Sequence, residues 1–182
     1  MTRLLIAVLL IASPLIAAEK AGRVEIFVST DCPIANAYSP EFSRLNDEYG
    51  ARGVEFLLVY PDPSTTDSDI AKHREEYSLT IPGVTDPAHK RVKAAGAKIT
   101  PEAAVYDADG ELVYRGRIDN LFNDYGDKRR TTTTYYLRSV LEKLIKREPL
   151  LFTETKAIGC YIEPLNCCLL YTSPSPRDGR DS

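Results

Sequence analysis

The sequence predicts an α/β fold, and this prediction depends on the order of three segments. Residues 23–30 and 54–62 are short apolar runs, the first rich in Val, Ile and Phe, and each indicates a buried strand. Residues 39–53 between them have apolar side chains at helical spacing. A right-handed crossover through this helix makes the two strands parallel neighbours. Strands that are apolar along their whole length are typical of a sheet covered by helices on both faces.

The helix between the strands has recognisable ends. Ser39 is a candidate N-cap, and Pro40 suits the first helical turn. The helix is expected to end at Gly50 or Gly53, because glycine commonly terminates helices.

Two further helices follow the second strand. Residues 64–79 indicate a helix that begins at Asp67 or Ser68. Residues 85–97 indicate a shorter helix, in which Thr85 or Asp86 caps the start and Gly96 ends the helix.

The domain is predicted to close with a hairpin and a helix. Residues 102–118 contain two strands around Asp109-Gly110, a dipeptide typical of two-residue hairpin turns. Residues 131–148 have apolar side chains along one side, which indicates an amphipathic helix.

The two ends of the chain differ from this pattern. Residues 1–18 combine Arg3, an apolar run and small residues near Ala17, which together predict a secretory signal peptide, with an uncleaved membrane anchor as the alternative. Export would place the protein in the periplasm or outside the cell, where disulfides form. Residues 166–182 resemble a translated sequencing-adaptor sequence, with a natural disordered tail as the alternative, so the domain is expected to span residues 19–165.

Composition argues against two classes of partner. The 182 residues have a formal net charge of -3 and no basic stripe, so we expect no nucleic-acid partner. The two histidines, His73 and His89, lie in charged helical segments and are predicted to be solvent-exposed. Without clustered cysteines they do not suggest a zinc site, and we expect neither a metal nor an organic cofactor.

Cys32 is the candidate for chemistry. It lies after the first strand and before a helix, so its sulfur is expected to be exposed and close to backbone N–H groups that favour the thiolate. A thiolate attacks disulfides and peroxides. The alternative is a buried, inert cysteine.

Residues 24–148 resemble the thioredoxin superfamily, and within it the redoxin branch that includes the alkyl hydroperoxide reductase/thiol-specific antioxidant group. The resemblance depends on Cys32-Pro33 at a helix start, on Thr100-Pro101 before a strand, and on the later hairpin. It implies a thioredoxin-like fold, with a central mixed β-sheet flanked by helices. It also implies a cis bond before Pro101, and a substrate groove shaped by Thr100, Pro101 and Pro33.

The sequence departs from the thioredoxin pattern at Ala35. Thioredoxins have Cys-x-x-Cys, whereas this chain has Cys32-Pro33-Ile34-Ala35. A distant cysteine or an external thiol could therefore resolve a mixed disulfide, or the site is not a dithiol exchanger. Cys160 is the tentative resolving cysteine, and Gly159 allows a tight approach; the alternatives are an unpaired cysteine and a bond to another chain.

A peroxidase is the first alternative function. Peroxiredoxins place Thr or Ser three residues before the reactive cysteine, and Ser29 fits this position, but Glu25 stands where those enzymes have Pro. Arg117 or Arg115 on a late strand could polarise a peroxide, although arginines at such positions are more often solvated.

The sequence therefore predicts an exported redoxin that carries out thiol-disulfide or thiol-peroxide chemistry through Cys32. Its partner would be a thiol or disulfide protein, or a peroxide, and it would meet a membrane only through an uncleaved signal anchor. The second alternative is a non-enzymatic module that uses the groove to bind or chaperone a redox or metal protein.

Overall fold

A computed structural model describes residues 20–165. The predicted signal peptide and the adaptor-like tail, with Cys167 and Cys168, lie outside the described residues. The described chain forms nine strands and five helices. The strands are β1 (Gly22–Phe27), β2 (Val54–Tyr60), β3 (Gly83–Thr85), β4 (Ile99–Thr100), β5 (Glu102–Asp107), β6 (Leu112–Gly116), β7 (Phe122–Asp124), β8 (Asp127–Lys128) and β9 (Cys160–Tyr161). The helices are α1 (Pro33–Ala37), α2 (Ser39–Gly50), α3 (Asp67–Glu76), α4 (Lys90–Ala95) and α5 (Tyr136–Lys146).

Five of these strands form a mixed central sheet in the order β3-β2-β1-β5-β6. β1 and β2 are parallel neighbours, as predicted, with Val24 opposite Phe56. β5 runs antiparallel to β1 and pairs with β6 to form the predicted hairpin. Helices flank this sheet, so the predicted thioredoxin-like architecture is confirmed.

Apolar side chains of β1 pack on both faces of the sheet. Val24 and Ile26 belong to the larger core, which includes Leu45 of α2 and Leu141 of α5. Phe27 belongs to a second core on the other side, beneath α4. Burying one such side chain typically stabilises the fold by about 1.5–3 kcal/mol. This burial fixes β1 at the centre of the molecule, and its carboxyl end leads to Cys32.

Several predicted element ends are wrong in detail. Ser39 does not cap α2: Tyr38 is the N-cap, and the buried Ser39 hydroxyl has no hydrogen-bond partner. The predicted cap Asp86 does serve α4, since its carboxylate accepts the N–H groups of Lys90, Arg91 and Val92, but the helix begins only at Lys90.

The hairpin turn is longer than predicted. β5 ends at Asp107 and β6 begins at Leu112, so four residues rather than two connect the strands. The Asp107 carboxylate accepts the N–H groups of Asp109 and Glu111, which holds this longer loop together. Gly110 lies within the loop at a positive φ of 88°.

Two very short strands, β4 and β9, pair outside the central sheet and were not predicted. They run antiparallel, with Thr100 opposite Cys160 and Ile99 opposite Tyr161. This pairing brings the C-terminal segment of the domain to the carboxyl end of β1. Within residues 20–165, no helix combines the length and the apolar character that a membrane crossing requires.

Candidate active site

The loop after β1 presents Cys32 at the start of α1. Cys32 is the N-cap residue of this helix, with Pro33 in the first turn. The Cys32 N–H donates to the Ser29 carbonyl at 3.3 Å, and the Asn36 N–H donates to the Cys32 carbonyl at 3.0 Å. The strand-to-helix position expected from the sequence is thus confirmed.

The Cys32 sulfur lies among hydrogen-bonding groups. As a thiol it donates to the Thr100 carbonyl at 3.0 Å, and it accepts the Ala35 N–H at 3.4 Å. Burial raises the pKa of this thiol, but the neighbouring polar groups, first the Cys160 side chain and then the Ala35 N–H, lower the pKa by more. The net effect is a Cys32 pKa below its ordinary value, which favours the nucleophilic thiolate.

Cys32 is nevertheless almost fully buried. Its exposed fraction is 1%, whereas its position at the sheet edge suggested an accessible sulfur. The groups over it include the Thr100 carbonyl and the residues of β9. A reagent from solution must therefore displace these covering groups or approach the Cys32 sulfur from beside them.

Cys160 lies close to Cys32, on the strand that pairs with Thr100. β9 places Cys160 opposite Thr100, whose hydroxyl donates to the Cys160 carbonyl at 3.4 Å. Both the thiol and the backbone N–H of Cys160 stabilise the Cys32 thiolate. Burial, with the neighbouring Cys32 charge, raises the pKa of Cys160 to about 11, so Cys160 is the protonated partner of the pair.

Gly159 permits this approach of the two segments. A Cβ atom at position 159 would lie 2.0 Å from the Thr100 carbonyl oxygen and 3.1 Å from Cδ of Pro101. Only glycine leaves room for β9 at this distance. The Thr100–Pro101 peptide bond is cis, as the resemblance implied.

The comparison with known families covers the part of the chain that holds Cys32 and the cis Thr100–Pro101 bond. The family described as Redoxin matches residues 17–128. The chain belongs to the redoxin family. No curated protein matches it.

Solved structures share the thioredoxin-like fold of this redoxin. An uncharacterized conserved protein from Geobacillus kaustophilus is 25% identical over 80% of this chain and 78% of its own, with a TM-score of 0.68. A hypothetical protein from Sinorhizobium meliloti is 23% identical over 80% of each chain, with a TM-score of 0.69. A putative thiol:disulfide interchange protein DsbE from Chlorobium tepidum is 15% identical over 71% of this chain and 80% of its own, with a TM-score of 0.50.

A cavity of about 210 Å³ opens beside the cysteine pair of the redoxin. Ser29, Thr100, Cys160 and Tyr161 lie on its walls, and Tyr161 is 82% exposed. A thiol that enters this cavity meets Cys160 before it meets Cys32.

The three peroxide-site candidates have other partners in the redoxin. The Ser29 hydroxyl accepts the Asp31 N–H at 3.4 Å. The Arg117 guanidinium donates to the carbonyl groups of Asp119 and Phe122, which lie in the loop before β7 and at its start. These contacts hold the guanidinium at that loop. Arg115, the other candidate, donates to the Gly96 carbonyl and to Glu154.

Sequence reasoning missed the residues that hold the site in place. Glu102 is buried, and its carboxylate accepts the N–H groups of Lys98 and Ile99, which fixes the segment that leads to Thr100. The sequence signal for this role was that Glu102 directly follows Pro101.

The expected exposure of both histidines is wrong. His73 and His89 are 5% and 4% exposed. His89 pairs with the Pro61 carbonyl at 2.9 Å, and His73 contacts Tyr60 and Asn36. The charged residues beside each histidine in the sequence suggested exposed positions. They do not report on internal partners, and an imidazole can form hydrogen bonds through its ring nitrogens inside a protein. Among residues 20–165, no group of three His, Cys, Asp or Glu side chains is placed to hold a metal ion.

Proposed function

We propose that this redoxin is an exported thiol-disulfide oxidoreductase that uses Cys32 and Cys160 as its redox pair. The observation that supports this best is that both cysteines meet at Thr100, whose carbonyl accepts the Cys32 thiol at 3.0 Å and whose backbone pairs with Cys160. The pKa of Cys32 is lowered and that of Cys160 is raised, so the two thiols differ in how readily they ionise. The proposal of export depends on residues 1–18 alone, and membrane contact would require an uncleaved signal anchor.

The first step is an attack by Cys32, which a partner disulfide reaches once β9 has moved away from the buried sulfur. Its thiolate attacks one sulfur of a partner disulfide, the partner's other sulfur leaves as a thiolate, and a mixed disulfide forms. Because the pKa of Cys32 is lowered and that of Cys160 is raised to about 11, Cys32 forms the thiolate more readily and is the better attacking group of the pair.

Cys160 completes the exchange. After burial, the Cys32 charge is one of the causes that raise the Cys160 pKa, and this charge disappears in the mixed disulfide. Cys160 then loses its proton more readily and attacks the Cys32 sulfur. The partner leaves with two thiols, and the redoxin keeps the Cys32–Cys160 disulfide, so two electrons pass to the partner. The reverse sequence would oxidise a partner dithiol.

Ala35 is consistent with this mechanism. It is 2% exposed and occupies the place of the second cysteine of a thioredoxin motif. Its N–H still donates to the Cys32 sulfur, while its methyl group cannot resolve a mixed disulfide. The resolving thiol is supplied by β9 instead of by α1.

The test is a redox titration of the full chain with Cys167→Ser and Cys168→Ser. After equilibration in glutathione buffers of graded potential, peptide mass mapping is expected to find a Cys32–Cys160 disulfide. Cys160→Ser in the same background should accumulate a mixed disulfide at Cys32 with a dithiol protein. Absence of the disulfide under all buffers would refute the redox pair.

Two other experimental outcomes would support the alternative functions. Rapid consumption of stoichiometric peroxide with sulfenic acid at Cys32 would make the protein a peroxidase. An unchanged cellular role in Cys32→Ser would favour the non-enzymatic binding or chaperone module.

A further inference from the structure

A chain of hydrogen bonds connects the core to the loop that precedes Cys32. The Tyr60 hydroxyl lies 2.8 Å from Nδ1 of His73, and Nε2 of His73 lies 2.9 Å from Oδ1 of Asn36. Nδ2 of Asn36 donates to the Thr30 carbonyl at 2.9 Å. Four residues from β2, α3, α1 and the active-site loop are thus linked in series.

The direction of each bond follows from its neighbours. The Thr30 carbonyl is only an acceptor, so the amide nitrogen of Asn36 faces it and the amide oxygen faces His73. Nε2 of His73 must therefore carry the proton. In the neutral imidazole Nδ1 is then the acceptor, and the Tyr60 hydroxyl donates to it.

Asn36 contacts the Cys32 loop twice. Its side chain binds the Thr30 carbonyl, and its backbone N–H binds the Cys32 carbonyl at 3.0 Å. The preceding residue, Ala35, supplies the N–H that reaches the Cys32 sulfur. The orientation of Asn36 therefore affects the geometry of the donor that stabilises the thiolate.

The surroundings of His73 hold its ring in place and favour its neutral form. The ring packs against Tyr60 and Tyr77, with centroids 5.6 and 4.9 Å away. Burial lowers the pKa of His73 and outweighs the opposing effect of Glu76 and Asp31. Tyr60, its hydrogen-bond donor, is fully buried.

We propose that His73 is a positioning residue for Cys32, acting through Asn36 to hold the Thr30–Cys32 loop and the adjoining helix start in the geometry that stabilises the thiolate. The proposal concerns the state of the Cys32 sulfur. It rests on the proposed function only for the reaction in which that sulfur takes part.

The test measures the pKa of the Cys32 thiol from the pH dependence of alkylation, located by peptide mapping in the reduced full chain. His73→Leu removes the donor to Asn36 and is expected to raise this pKa, slowing alkylation about three- to tenfold at a pH below the thiol pKa. His73→Gln, which keeps an N–H donor, should restore most of the rate. Lys72→Gln on the same helix is the control and should behave as wild type.

A double variant separates positioning from a general loss of packing. Asn36→Ala alone should raise the Cys32 pKa, and adding His73→Leu should raise it no further, because His73 acts through Asn36. Additive effects, or a Cys32 pKa in His73→Leu equal to that of Lys72→Gln, would overturn the proposal.

Two arrangements keep the result interpretable. If His73→Leu does not fold, Tyr60→Phe replaces it, because this variant removes the donor to Nδ1 of His73. It should raise the Cys32 pKa by less than His73→Leu would. An unchanged Cys32 pKa in Tyr60→Phe would overturn the proposal. The assay needs neither a Cys32–Cys160 disulfide nor a redox partner, so its failure is distinguishable from failure of the proposed redox pair.

Discussion

Gly159→Ala should uncover Cys32. The added Cβ would lie 2.0 Å from the Thr100 carbonyl oxygen, and ordinary contact begins at 3.4 Å, so the two segments must separate by about 1.4 Å. The bond from the Ile162 N–H to the Lys98 carbonyl, now 2.9 Å, would lengthen to about 4.3 Å and break.

The magnitude follows from the bonds that are lost. The bond to Lys98 and the bond from the Thr100 hydroxyl to the Cys160 carbonyl each contribute about 0.5–1.5 kcal/mol. Their loss shifts the equilibrium towards a detached β9 by about 1–3 kcal/mol. This corresponds to an increase of about 5- to 140-fold in the accessible fraction of Cys32, since about 1.4 kcal/mol is tenfold.

The assay is alkylation of Cys32 across a pH range, with the modified peptide identified by mass. The plateau rate at high pH reports access, because the thiol is then fully ionised, whereas the midpoint reports the pKa. Gly50→Ala is the matched control, since a Cβ there meets nothing closer than Asn46 Oδ1 at 3.8 Å. A plateau rate in Gly159→Ala equal to that of Gly50→Ala would refute the view that β9 covers the sulfur.

Three further predictions concern the groups around the site. Cys160→Ala removes a donor to the Cys32 thiolate and should move the alkylation midpoint of Cys32 upward; a downward shift would contradict the assigned contact. His73 has a lowered pKa in the folded protein, so the unfolded chain binds more protons, and the free energy of unfolding should fall as the pH drops below about 6.5. Urea titrations should show this loss in wild type and less of it in His73→Gln. Tyr38→Phe removes the 2.6 Å bond to the buried Asp119 carboxylate and should lower the free energy of unfolding by about 1–3 kcal/mol, whereas an unchanged urea midpoint would show that this bond does not contribute.

Local patterns were sufficient for the main elements of the fold. Apolar runs predicted β1 and β2 as parallel neighbours, and helical spacing predicted α2 and α5. Element ends were less well predicted, because caps depend on side chains that reach several residues along the chain. Asp86 was predicted to cap α4, but its carboxylate acts from four residues before the first helical residue, so the helix was predicted to start too early.

The sequence by itself determined the chemistry available at Cys32: a thiol at a strand-to-helix junction, with N–H donors nearby and no second cysteine in its motif. It also identified Cys160 as a candidate partner, because the requirement for a second thiol can be stated without coordinates. Periodicity and local motifs report only on neighbours along the chain.

The tertiary structure decided which distant groups meet at that sulfur. The cover over Cys32, the contact with Cys160 and the burial of His73 each join segments far apart in the sequence. Long-range packing sets such contacts, and it depends on the shapes of several elements at once. For this reason the same cysteine, predicted to be accessible, lies buried beneath its own C-terminal strand.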